Sequence, residues 1–318
     1  VLERSRESVS PGRTSRPLPK PQPKTYPRSR RMRSGHRREI DPRRDRRTFQ
    51  DRCDRALVDA GLYRAVSFRD LAEAHFDDHP YVARRAVNQW IRAGALREHT
   101  VHGPKGNPYK LLTPTRRGAE LARRQAVKHG LDPDQRTWAG LVKSAELTHD
   151  TEVYRASRAE IKRLQGEGAT IRRIRIDAEL KSIVAKRSET ARARDGKAAA
   201  DMERIQAAKE IGLPVDENGR VHYPDAQIEY TDAEGRTDHV NVEVATRDYR
   251  NRTIQAKAAA GFVIHANGRA GARVSNALGR SGSGRSGSKS IRGLGRKGDP
   301  PAGGTRGPAD RGDASVDL

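Results

Sequence analysis

Residues 80–118 read PYVARRAVNQWIRAGALREHTVHGPKGNPYKLLTPTRRG, and the fold of the first half of the chain turns on them. Pro80 suits the first turn of a helix, and Gly94 suits its end. Between them Ala83, Val87, Trp90 and Ile91 recur at helical spacing and form the side expected to be buried. Opposite stand Arg84, Arg85, Asn88, Gln89 and Arg92. Arg85, Asn88, Gln89 and Arg92 lie at i, i+3, i+4 and i+7, so they share one exposed face. After Gly94, residues 95–101 and 109–112 each read as a strand. The turn-rich stretch HGPKGNP at 102–108 joins them into a hairpin with Lys105 at its tip.

The flanks extend this pattern. Thr48 can cap a helix running to Ala60, with Phe49, Cys53, Leu57 and Val58 on one side and Gly61 as its stop. Ser67 caps a short helix over 68–76, with Leu71 and Ala72 inward. Downstream, Thr113 to Gly118 opens a helix that runs through Leu121 towards His129. Two short helices followed by a longer one with a polar face describe a helix-turn-helix. Arg, Asn and Gln are also the side chains that make bidentate contacts to guanine and adenine edges in the major groove. The order helix, helix, helix, hairpin, helix resembles the winged helix-turn-helix domains of MarR-like regulators over residues 48–130. Residues 90–96 and 111–118 are its most specific part. The resemblance implies docking on duplex DNA through Arg84, Arg85, Asn88, Gln89 and Arg92, with Lys105, Arg116 and Arg117 on phosphates. A protein–protein module with a merely solvated basic face is the alternative.

Residues 140–267 read differently. A helix starts at Thr148-His149-Asp150, with Val153, Ile161 and Leu164 inward, and ends before Gly166. Residues 170–176 form a strongly basic strand. Residues 179–212 are mainly helical, with a break near Asp195-Gly196. Strands are expected over 221–230 and 239–244, a helix over 248–260 and a closing strand over 262–264. Asp225 sits on the first strand of this hairpin and Glu243 on its partner. Two carboxylates on adjacent strands are a candidate site for a hard cation such as Mg²⁺, which could activate water against a phosphodiester. A surface pair holding no metal is the plain alternative.

This topology and spacing resemble the PD-(D/E)xK nuclease superfamily. Within it, the motifs are similar to the replication-relaxation family of plasmids and integrative elements, which pairs a winged helix with such a domain. The residues that carry the likeness are Leu147-Thr148-His149-Asp150, Glu179-Leu180, Pro224-Asp225-Ala226, and Glu243-Val244-Ala245-Thr246-Arg247 followed by the Lys257 helix. The resemblance implies a catalytic set of Asp225, Glu243, Lys257, His149 and Glu179, with Asp225 and Glu243 as metal ligands. In active members a lysine lies two residues after the acid, where this chain has Ala245. Lys257 is then the candidate substitute, with Lys181 as a second. His149 and His222 each have a structural alternative as hydrogen-bonded residues.

Composition frames the rest. The chain has 318 residues and a net charge of +23, with 34% hydrophobic and 4% aromatic residues. Residues 1–47 carry sixteen Lys and Arg against five acids, and residues 268–318 carry ten against four. Both segments read as disordered basic tails, Pro-rich in the first case and Gly/Arg/Ser-rich in the second. Basic tails attract polyanions, which favours nucleic acid over a membrane surface, and Gly/Arg-rich tails also suit RNA. No apolar run approaches a membrane span, no apolar leader segment is seen, and the single Cys53 excludes an intramolecular disulfide.

The expectation is an α+β protein: tail 1–47, winged helix 48–130, nuclease-like domain 140–267 and tail 268–318. Its expected setting is the cytoplasm of a bacterium or archaeon, on nucleoid or plasmid. Duplex DNA is the expected partner, with other replication or transfer proteins and a homodimer left open.

Overall fold

Ser67 shows how local chemistry starts this fold. Its hydroxyl accepts a hydrogen bond from the Asp70 amide at 3.1 Å and caps the helix that follows. In the computed structural model, the structure describes residues 42–103, 106–140, 147–246, 249–266, 268–279 and 291–293. The expected tail 1–47 is described only from Pro42 on, and Lys105, Arg247 and residues 294–318 lie outside the described residues.

The first half contains α1 (Pro42–Leu62), β1 (Val66–Ser67), α2 (Phe68–His75), α3 (Pro80–Arg92), β2 (Leu96–His102), β3 (Pro108–Pro114) and α4 (Arg116–Lys128). The strands form one antiparallel sheet in the order β1-β3-β2. α1 starts before Thr48 and passes through Gly61, so neither end falls where expected. Gly61 serves packing instead: a Cβ there would lie 2.5 Å from the Ala122 Cβ of α4. β1 escaped the sequence reading because two residues carry no periodicity. Thr115 caps α4 through the Gly118 amide at 3.0 Å.

The second half contains α5 (Leu147–Gly166), β4 (Thr170–Ile176), α6 (Asp177–Glu210), β5 (Ala226–Thr231), β6 (Thr237–Ala245), α7 (Asn251–Ala259), β7 (Val263–Ala266), α8 (Gly268–Gly279) and β8 (Ile291–Gly293). The sheet order is β4-β5-β6-β7-β8. β4, β5 and β6 pair antiparallel, whereas β6, β7 and β8 pair parallel. α6 is kinked at Gly196, whose φ of 84° suits glycine.

Two expectations need correcting. The strand expected from Val221 begins at Ala226, and Val221 makes only an isolated bridge to Val215. Order also continues past 267. In α8, Val274, Ala277 and Leu278 stand at i, i+3 and i+4 and pack with Ile254, Phe262 and Ile264. Glycine- and arginine-rich composition hid that short apolar stripe.

The fold is mixed α+β, and its described residues from Arg43 onward form one compact unit. One apolar cluster joins Cys53, Leu71, Phe76 and Val87 to Val153, Ile161, Ile228 and Val244. Polar groups also cross between the halves. Tyr154 of α5 donates to Asp59 of α1 at 2.8 Å, and Arg155 donates to Asp70 at 2.9 Å. The joining loop is tied down too: the Gln135 side chain accepts from the Ile174 amide at 2.9 Å and donates to its carbonyl at 2.8 Å. Among the described residues, no helix is long and apolar enough to cross a membrane.

Candidate functional site

Asp225 occupies the residue before β5, where the chain enters the middle of the sheet. Its Oδ2 accepts from the Val244 amide at 2.7 Å, and its Oδ1 lies 3.1 Å from Nε2 of His149 on the first turn of α5. Glu243, on β6, is 1% exposed, so it is not half of a surface pair. Tyr249 donates to its Oε1 at 2.5 Å, and Lys257 of α7 donates to its Oε2 at 2.9 Å. The same ammonium also donates to the Tyr223 carbonyl and sits 4.6 Å from the centroid of the Phe262 ring. The fold thus brings together Asp225, Glu243, Lys257 and His149.

The electrostatics follow from burial and charge. Burial, reinforced by the Asp225 charge, pushes the Glu243 carboxyl up to about 7 against the pull of Lys257. The hydrogen bond to Asp225 raises His149 to about 9, so its imidazole is cationic near neutrality. Burial and the neighbouring Glu243 raise the Tyr249 phenol.

A hollow of about 220 Å³ opens beside Asp225, lined among others by Arg64, His149, Asp177 and Lys181. Lys181 donates to Asp177 at 2.7 Å. Every oxygen of the two carboxylates already accepts a hydrogen bond, and His149 and Lys257 balance both charges. These two carboxylates are the oxygen donors a divalent cation such as Mg²⁺ would use, and here each is paired with a cationic side chain instead. Among the described residues, no cluster of three or more His, Cys, Asp or Glu is disposed to hold a metal.

Glu179 is not part of this group. It is buried, lies 3.2 Å from Arg173, and lines a second hollow of about 560 Å³ with Arg116, Arg123 and Arg136. The reason is helical phase. Asp177 and Lys181 share one face of α6, while Glu179, two residues on, points to the other. His222 pairs with Asp216 at 3.3 Å, as the hydrogen-bonded structural alternative expects.

On α3, Arg85, Asn88, Gln89 and Arg92 are exposed, and Ala83, Ala86 and Val87 are buried. Arg116 and Arg117 at the start of α4 are exposed as well. Arg84 departs from its expected role. It pairs with Glu98 and stacks 4.0 Å from the Phe68 ring centroid, which turns it away from the exposed face. The sequence reading missed Tyr249, Arg64 and Tyr81. Tyr81, 90% exposed on α3, left a signal in its i, i+4 spacing to Arg85. Arg64 left none, because its partner Trp138 is distant in sequence, and Tyr249 left none because its six-residue spacing from Glu243 matches no helix or strand pattern.

No family model, curated protein or solved structure matches the chain.

Proposed function

We propose that this is a DNA-binding protein of a plasmid or integrative element, acting in replication, transfer or regulation. The observation that carries the reading is the α3 face, where Arg85, Asn88, Gln89 and Arg92 are open to solvent opposite a buried apolar side. Helices α1 to α3, the β2–β3 hairpin and α4 support a winged helix-turn-helix, with α3 placed in the major groove. Arg116, Arg117 and the basic segments then meet phosphates, so affinity falls steeply with salt. In the second half, α5, β4, β5, β6, α7 and β7 run in the order of a PD-(D/E)xK-like domain, with α6 inserted. Its polar site is balanced internally by His149 and Lys257, which favours a fold kept for binding. Fluorescence anisotropy with labelled duplex DNA tests the reading. Arg85→Ala plus Arg92→Ala lowers affinity about tenfold or more with the thermal midpoint unchanged; unaltered affinity would sink it.

A second reading is a metal-dependent endonuclease that nicks phosphodiester bonds. The convergence of Asp225, Glu243 and Lys257 favours it. It predicts Mg²⁺- or Mn²⁺-dependent nicking of supercoiled plasmid that disappears in Asp225→Ala. Intact plasmid beside a retarded complex removes this reading and keeps the first.

A further inference from the structure

Arg64 and Arg136 stand 72 positions apart in the sequence and stack on the same ring. Their guanidinium carbons lie 4.5 and 4.2 Å from the centroid of the Trp138 ring. That ring is a fixed platform. The Trp138 amide donates to the Gly61 carbonyl at 2.8 Å, and the loop before it is bound to β4 through Gln135 and through the Asp132 amide on the Arg172 carbonyl.

Arg64 is the more informative of the two. Its φ of 63° places a non-glycine residue in the left-handed region, a conformation that costs energy and clusters at functional sites. It also lines the Asp225 hollow. There Lys181 is paired with Asp177 and His149 with Asp225. Among the described residues, Arg64 is the lining cation with no carboxylate partner. Arg136 lines the other hollow, beside Arg116 and Arg123 of α4, where its charge is felt by the buried Glu179 carboxyl, which is itself hydrogen-bonded to Arg173. The two hollows share no lining residue, and the Trp138 ring is the group that one arginine from each of them contacts.

A guanidinium held over an aromatic ring by cation–π attraction still has N–H groups to offer for bidentate contact with phosphate oxygens. We propose that Arg64, Trp138 and Arg136 form a phosphate-binding bridge that carries a nucleic-acid backbone from the α4 arginines to the Asp225 hollow. The bridge takes from the preceding reading only that the polyanion is nucleic acid. It deepens that reading by assigning backbone contacts outside α3 and the hairpin, and it leads the strand past His149, whose Nδ1 is buried and has no partner among the described residues.

The test uses the full chain and a labelled duplex several helical turns long, with the dissociation constant measured across a salt series. Arg64→Gln plus Arg136→Gln lowers affinity about tenfold at moderate salt and reduces the log–log salt slope by roughly two. Arg136→Gln alone, at an exposed position that does not threaten folding, reduces the slope by roughly one. In a Trp90→Phe background, the remaining Trp138 emission changes on DNA binding. Wild-type affinity and slope in both glutamine variants would overturn the bridge, even where Arg85→Ala plus Arg92→Ala weakens binding. The reverse pattern, with the glutamine variants weakened and the α3 variant unchanged, would remove the α3 reading and leave the bridge standing.

Discussion

Nζ of Lys257 lies 2.9 Å from Oε2 of Glu243, although the lysine sits on a helix and the glutamate on a strand. This contact puts a cation at the acid from outside the strand, whereas Ala245, two residues after the acid, is buried and carries no charge. It also sets a stability requirement, because a carboxylate this deeply buried needs a counter-charge or a proton.

Lys257→Met therefore destabilises the fold by about 3 kcal/mol in urea unfolding at about pH 9, above the value of about 7 to which the Glu243 carboxyl is pushed in the presence of the lysine. Adding Glu243→Gln to it recovers most of the loss, since no buried charge is then left unpaired. A single variant as stable as wild type would show that the ion pair contributes nothing.

Asp59 ties the halves together in a pH-dependent way. Burial alone would raise its carboxyl, yet His75, Arg158 and the Tyr154 hydroxyl hold it at about 2, below the ordinary 3.8. A depressed carboxyl contributes stability that is complete above the unfolded value and is lost as pH falls through the folded one. The contribution is about 2 kcal/mol, lost between about pH 4 and pH 2. Urea midpoints against pH, compared between wild type and Asp59→Asn, should converge over that window. Parallel curves would remove the assignment.

His149 behaves with the opposite sign. Raised from 6.5 to about 9 by Asp225, it contributes stability that is full below the unfolded value and is lost as pH rises through about 9. Imidazole titration by NMR should show the high value in wild type and a return towards 6.5 in Asp225→Asn. The same titration in both proteins would dissociate His149 from Asp225.

Gly118 marks the closest backbone approach in the first half. A Cβ there would stand 1.9 Å from the Ala95 carbonyl oxygen, a backbone atom that cannot swing aside. Gly118→Ala should cost about 3 kcal/mol through forced backbone movement, read as a lowered urea midpoint. Gly94→Ala, where nothing lies within 4 Å, costs only about 1 kcal/mol for its positive φ.

Local features were legible in the chain itself. The Ser67 cap, the α3 face with Arg85 and Arg92, the basic strand 170–176 and the break at Gly196 all rest on propensity, periodicity or backbone freedom within a few residues. Asp225 and Glu243 were readable as neighbours because a hairpin aligns adjacent strands, and β5 and β6 do pair antiparallel. What tertiary structure alone decided was which distant groups meet. Tyr154 finds Asp59 across 95 positions, and the Gln135 side chain finds Ile174 across 39. Arg84 and Glu179 turned away from their expected sites, one to Glu98 and Phe68, the other to Arg173. Burial and charge pairing made those choices, and both depend on distances through space that no local pattern encodes.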